Sequence, residues 1–198
     1  MNKFKIRIMI MLIMGTNILL FAHPHLFAGV DIDFDVTQSN LLVITQRWMF
    51  DDLTSMIILE DFDSNYDEEI CSSELIELKK TVIPGLKEEH FYTDLVIDDE
   101  NIVLQEITDF SVGTYDIYVY YQFSMTVPFV INDKGNEIKI NVFDRDFYTK
   151  FYVNSSSGLK VLKPEDVSHQ IDVYENKSKS YYFGQLNPVE VKLTLSKE

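Results

Sequence analysis

Cysteine is nearly absent from this 198-residue sequence, with Cys71 standing alone. No intramolecular disulfide can form, no CxxC redox pair exists, and no thiol near the N-terminus could carry a lipid, so a direct lipid anchor is not expected. A fold without cross-links must rest on an ordinary hydrophobic core. Basic residues are also scarce, 17 against 32 acidic ones, for a formal net charge of −15. That balance argues against nucleic acid and anionic membrane surfaces as partners, because both demand basic patches, and leaves the chain suited to attracting cations. Gly-rich phosphate loops, HExxH and GxSxG are missing as well, and with them the usual signatures of nucleotide, metalloprotease and serine-hydrolase chemistry.

Long apolar runs are limited to one. Ile8 to Ala22 is broken only by Gly15, Thr16 and Asn17 and follows the basic residues Lys3, Lys5 and Arg7. It falls short of the roughly 20 residues of a spanning helix and suits the apolar region of an export signal. Small Ala22 sits at the expected junction. Leu20, two residues earlier, is bulkier than usual there, and a cut after Ala28 would discard both nearby histidines. Residues 1–22 are therefore expected to be a cleaved signal peptide and residues 23–198 a single exported domain. Fourteen basic and 32 acidic residues remain after the cut, a formal charge of −18.

Cleavage after Ala22 makes His23 the first residue and places two imidazoles, His23 and His25, and a free α-amino group within three residues. All are nitrogen donors suited to a borderline transition metal. Pro24 shapes what they can do. A prolyl nitrogen has no proton to lose, so the planar N-terminal copper and nickel site that uses deprotonated amides cannot form. Chelation by the His23 amine and imidazole remains, completed by His25 or a carboxylate. Zinc accepts such a set, and nickel or copper would too. The plainer alternative is two exposed histidines at a chain end. His90 and His169 stand among unrelated neighbours and read as surface or half-buried histidines; only if one of them faced His23 would a copper-dependent oxidative enzyme with an N-terminal histidine brace follow.

Along the exported chain, Val30, Ile32, Phe34 and Val36 alternate with Asp31, Asp33 and Asp35, the period of a half-buried strand. Ser39-Asn40 is a turn signal, and Leu42, Ile44, Trp48 and Phe50 share one face of a second strand in a hairpin with the first. The period then changes. Leu53, Met56, Ile57 and Leu59 recur at helical spacing behind Asp51 and Asp52, which predicts a short helix to about Asp61. A second helix starts near Ser72-Ser73-Glu74, with Pro84-Gly85 expected to interrupt or end it. Residues 51–90 thus read as an inserted helix-loop-helix. Further strands are expected at Leu95 to Ile97, Ile102 to Ile107, Tyr115 to Val127 with Ile117 on the apolar face, Ile138 to Val142, Phe147 to Val153, His169 to Val173, Tyr181 to Phe183, and Val189 to Leu195, with a turn at Asp133 to Asn136. The expected fold class is α+β, mainly β: an antiparallel β-sandwich or curled sheet with an EF-hand-like helical hairpin inserted.

Between the two helices, Asp63 to Glu74 fits much of a twelve-residue calcium loop. Asp63, Asn65 and Asp67 would supply monodentate oxygens, Glu69 its carbonyl and Glu74 a bidentate carboxylate. Glu68 departs from the pattern, standing where glycine normally permits the turn, and a side chain there resists the left-handed conformation by roughly 1 kcal/mol or more. Any calcium binding is expected to be weak. A solvated acidic loop that keeps the helix-loop-helix shape without metal fits the same residues.

The order His23-Pro24-His25-Leu26-Phe27, an acidic strand, Arg47 to Ser55, Leu59 to Asp63 and later Val142 to Tyr148 resembles the ZevA-like periplasmic proteins. Arg145 replaces that family's usual proline, and the likeness covers His23 to about Val153 well and the tail poorly. The resemblance implies a periplasmic component of a transport system that partners an inner-membrane permease for zinc, nickel or cobalt. It carries over His23 and His25 from the family's HPH motif, and Asp63, Asn65, Asp67 and Glu74 from its EF-like loop. The resulting expectation is a non-enzymatic accessory protein of divalent metal transport, most simply zinc. A metal-free adaptor or structural protein of a permease is the alternative.

Overall fold

A computed structural model describes residues 24–197; the expected signal segment and His23 lie outside the described residues. The alternation of apolar and acidic residues produces β1 (Leu26–Asp35), and the turn at Asn40, with φ of 60°, leads into β2 (Leu41–Phe50). The two pair antiparallel with Val30 opposite Trp48 and Phe34 opposite Ile44. Val30, Ile32, Phe34, Leu42 and Ile44 are wholly buried, as their parity requires. Strand β3 (Thr93–Ile97) and β4 (Glu100–Ile102) form a short hairpin, followed by β5 (Thr108–Tyr115) and β6 (Tyr118–Pro128). The later strands are β7 (Asn136–Val142), β8 (Thr149–Val153), β9 (Leu159–Leu162), β10 (Val167–Glu175) and β11 (Val189–Lys197).

These strands form two sheets. One runs β5-β6-β2-β1-β8, with β9 also pairing β1; the other runs β10-β11-β7-β3-β4. The second is antiparallel throughout, whereas in the first β8 and β9 lie parallel to β1. The expectation of wholly antiparallel pairing is corrected there: alternation shows which side of a strand is buried and says nothing of its neighbour's direction. Trp48, Phe123 and Ile32 of the first sheet join Leu95, Ile140 and Leu193 of the second in one hydrophobic cluster. A polar bridge crosses it. Gln46 lies on the buried parity of β2, fully covered, where its Oε1 accepts the Trp48 indole N–H at 2.7 Å and its Nε2 donates to Thr93 Oγ1 at 3.0 Å. Every polar atom in that chain is paired, as burial demands.

The inserted segment contains α1 (Asp52–Phe62) and α2 (Ser72–Glu88). Asp51 caps α1 by accepting the Thr54 N–H at 2.9 Å. Helix α2 runs through Pro84, contrary to expectation. Leu78 and Leu86, two turns apart on one side, are both buried and Val82 between them packs on the core, which offsets the roughly 3 kcal/mol a mid-helix proline costs. Four strand boundaries also differ. Residues 103–107 are not a strand, and β5, whose alternation is weak, pairs with β6 instead, with buried Phe110 in the bulge between Thr108 and Ser111. Asp116, at φ 56°, turns the β5–β6 hairpin, so Ile117 falls in the turn and is exposed. Phe147, at φ 57°, precedes β8, and Tyr182 and Phe183 also take positive φ, so the segment from Tyr181 makes one isolated bridge to Leu186 and no strand.

The largest departure concerns α1. Its buried residues are Thr54, Ser55 and Ile58, while Leu53, Met56 and Ile57 face solvent. Ser55 explains the choice: its hydroxyl accepts the Val119 N–H at 2.8 Å and sits 3.4 Å from the Phe50 carbonyl. Small Ser55 lets the helix approach β6 closely and satisfies a buried amide that a leucine would leave unpaired.

Candidate functional site

His25 precedes β1 and is exposed, yet its backbone is fixed. The His25 and Leu26 amides both donate to the Tyr148 carbonyl, at 2.8 and 3.2 Å, and the His25 ring lies 5.0 Å from the Tyr148 ring at 36°. Next along this parity, Phe27 stacks on Tyr152 at 6.3 Å. The holder of Tyr148 is the turn built on buried Asp144, whose Oδ1 accepts the Asp146 amide at 2.9 Å and whose Oδ2 accepts the Thr149 amide at 2.8 Å. Burial, and after it the charge of Asp144, pushes the Tyr92 phenol up to about 12 and raises Tyr181. Both phenols stay protonated and neutral beside the carboxylate. Arg145 reaches Asp94 of β3 at 2.8 Å, with its guanidinium over the Phe143 ring, so this turn is tied to the second sheet.

His90 lies in a single 3-10 turn (His90–Tyr92) after α2, and His169 lies on β10, in the sheet that does not contain β1; both are exposed. Among the described residues, no three His, Cys, Asp or Glu side chains converge as a metal centre would require. His23, with its amine, lies outside the described residues.

The acidic loop keeps the expected helix-loop-helix setting. Buried Asp63 caps the end of α1, and its two oxygens accept the amides of Asp67 at 3.3 Å and Glu68 at 2.8 Å. Asn65 Oδ1 accepts the Asp67 amide, Asp67 Oδ1 accepts the Glu69 amide, and Asn65 Nδ2 donates to Asp67 Oδ2 at 2.8 Å. Glu68 adopts φ of 64°, the left-handed conformation that its place in the pattern demands. Glu74 turns back on the loop: Oε1 accepts the Ser64 amide and hydroxyl, and Oε2 accepts the Cys71 amide at 2.9 Å. Those donors, the Ser64 hydroxyl foremost, hold its carboxyl down at about 2 from 4.5. Of the five expected ligands, Asp63, Asn65, Asp67 and Glu74 thus spend side-chain oxygens on donors of the loop itself, while Glu69 donates its amide to Asp67.

Sequence reasoning missed the surface beside this loop. Leu53, Met56 and Leu59 of α1, Tyr66 of the loop, and Thr114 and Ile117 of the β5–β6 hairpin line an open groove of about 690 Å³. The available signal was that α1 carries apolar residues on more than one side, so spacing alone could not say which would be covered.

Two sheets sharing one core, with a helix-loop-helix packed against β5 and β6, define a mainly β protein with two helices. The chain belongs to a family described as protein of unknown function (DUF1007), whose sequence pattern matches residues 8–185. No curated protein matches it. Among the described residues, no helix is long and apolar enough to cross a membrane.

Proposed function

We propose that this protein is a ZevA-like periplasmic accessory protein of divalent metal transport, which captures zinc at an N-terminal His-Pro-His cluster and passes it to an inner-membrane permease without catalysis. On this reading the signal peptide is cut after Ala22, the two sheets act as a sandwich-like scaffold, and the loop from Asp63 to Glu74 is an EF-hand relic of weak calcium affinity. The observation that carries the reading is the presentation of His25: an exposed imidazole on a backbone held by Tyr148, one residue from the start of β1. A donor fixed in this way needs little ordering when a metal joins it to the His23 amine and imidazole.

Calorimetric titration of processed protein with zinc, nickel and copper tests it. Binding should weaken when one extra residue precedes His23, because the amine becomes an amide. His23→Ala, which removes a chelate ring, should cost more than His25→Ala. Protons compete for the same nitrogens, so affinity should fall between about pH 8 and 6. Equal zinc binding by all four forms would place the metal elsewhere, and no binding by any form would leave a metal-free adaptor.

A further inference from the structure

We propose that the groove on the outer side of α1 is a docking site for a basic amphipathic helix of a partner protein. The inference goes beyond metal capture and does not depend on it. Helix α1 buries Ile58 and packs Leu59 and Phe62 on the core but leaves its other large apolar residues uncovered. Leu53 is 55 % exposed, Met56 58 % and Ile57 44 %, while Thr54 and Ser55 are buried. Covering the exposed part of such side chains is favourable, a gain the isolated fold forgoes. Ile117, 59 % exposed, and Tyr66, 85 % exposed, also line the groove. An exposed apolar surface of this kind, with methionine and tyrosine at its edges, is the character of a binding face.

Charge selects the occupant. Asp52, Glu60, Glu68 and Asp116 stand along the groove, and no lysine or arginine lines it. A second copy of the chain would bring the same carboxylates against these, at a net charge of −15 per chain. An anionic lipid surface would be repelled in the same way. A helix with an apolar stripe flanked by lysine and arginine satisfies both features, and a channel between one helix and a hairpin turn suits the helix-in-groove mode. A smaller hollow of about 280 Å³ is lined by Phe27, Met49, Tyr118 and Tyr152, and its Asp51 and Tyr118 are chain neighbours of the groove's Asp52 and Ile117.

The test uses two synthetic helical peptides of about 16 residues, long enough for four turns. Both carry leucines at i, i+3, i+4 and i+7; one is otherwise rich in Lys and Arg, the other in Glu. Fluorescence anisotropy with the purified protein should give a dissociation constant on the order of 10 μM for the basic peptide, weakening with salt, and no binding of the acidic one. Met56→Ser and the pair Glu60→Lys/Glu68→Lys should each weaken the basic peptide by about tenfold or more. A control pair outside the groove, Glu165→Lys/Asp166→Lys, changes net charge equally and should stay within about twofold. All these positions are exposed, so unchanged melting curves will show that the fold is intact. The inference is overturned if the basic peptide does not bind, if both peptides bind alike, or if Met56→Ser leaves binding unchanged. It is overturned equally if Met56→Ser abolishes self-association in sedimentation, or uptake onto phosphatidylcholine vesicles, in place of peptide binding. Zinc titration of Met56→Ser should match the parent, which keeps this outcome separate from that of the metal site.

Discussion

The carboxylate of Glu74 accepts both the amide and the hydroxyl of Ser64, at 2.8 and 2.7 Å, and so closes a loop across ten residues. With the Cys71 amide on its other oxygen, it also completes a capping box at the start of α2. One side chain therefore sets the loop and caps the helix after it.

This sets an acid limit on the helix-loop-helix. Glu74 titrates at about 2 in the fold against 4.5 when free. Its contribution is fully present above the unfolded value and is lost as pH falls from about 4.5 to about 2. Glu74→Gln should lower the melting temperature at pH 7 and flatten its decline across that window. Thermal unfolding followed by circular dichroism at several pH values measures both, and an unchanged acid profile would remove Glu74 from this role.

Glu68 holds φ of 64° in a place that suits glycine. Glu68→Gly should relieve strain and stabilise the protein by about 1 kcal/mol, less what glycine loses in unfolded-state entropy. Calcium affinity, weak at about 10⁻⁴–10⁻³ M or absent in the parent, should tighten in the variant. Urea unfolding and calcium calorimetry read the two effects separately. Submicromolar calcium binding by the parent would contradict the strain argument.

The reversed face of α1 predicts an inverted mutational pattern. Ser55→Ala should cost about 1–3 kcal/mol by leaving the buried Val119 amide without its acceptor. Ile58→Ala should also destabilise, while the larger apolar residue Met56 should accept Ser within about 0.5 kcal/mol, since it is exposed. Chemical denaturation of the three variants ranks them.

Asp144 is expected to act on His25 at a distance. Asp144→Ala removes the acceptor of the Asp146 and Thr149 amides, costing about 1–3 kcal/mol, and frees the turn that presents Tyr148. The imidazole resonances of His25 should shift and broaden in NMR, while those of His169, in the other sheet, should not. Unperturbed His25 signals would show that the turn does not position it.

Much of this fold was legible before any coordinates. Strict alternation marked β1, β2, β7 and β11, the change of period after Phe50 marked α1, and the residue pattern of the loop put Glu68 where positive φ was required, as observed. Each is a local signal, set by side-chain period or by the backbone freedom of one residue. β5 escaped because its alternation is weak, and the residues from Tyr181 misled because aromatic residues resemble a strand when their positive φ is unseen.

By itself, the sequence determined the acidic character, the mainly β composition, the single free cysteine and the order of hairpin, helices and later strands. Tertiary structure alone decided that β8 and β9 run parallel to β1, that Tyr148 holds the backbone of His25, that α2 continues through Pro84 and that α1 turns Leu53 and Met56 to solvent. The physical reason is common to all four. Periodicity states which side of an element prefers burial, whereas direction, neighbours and a helix's final face depend on partners distant in the chain, such as the Val119 amide that draws Ser55 inward.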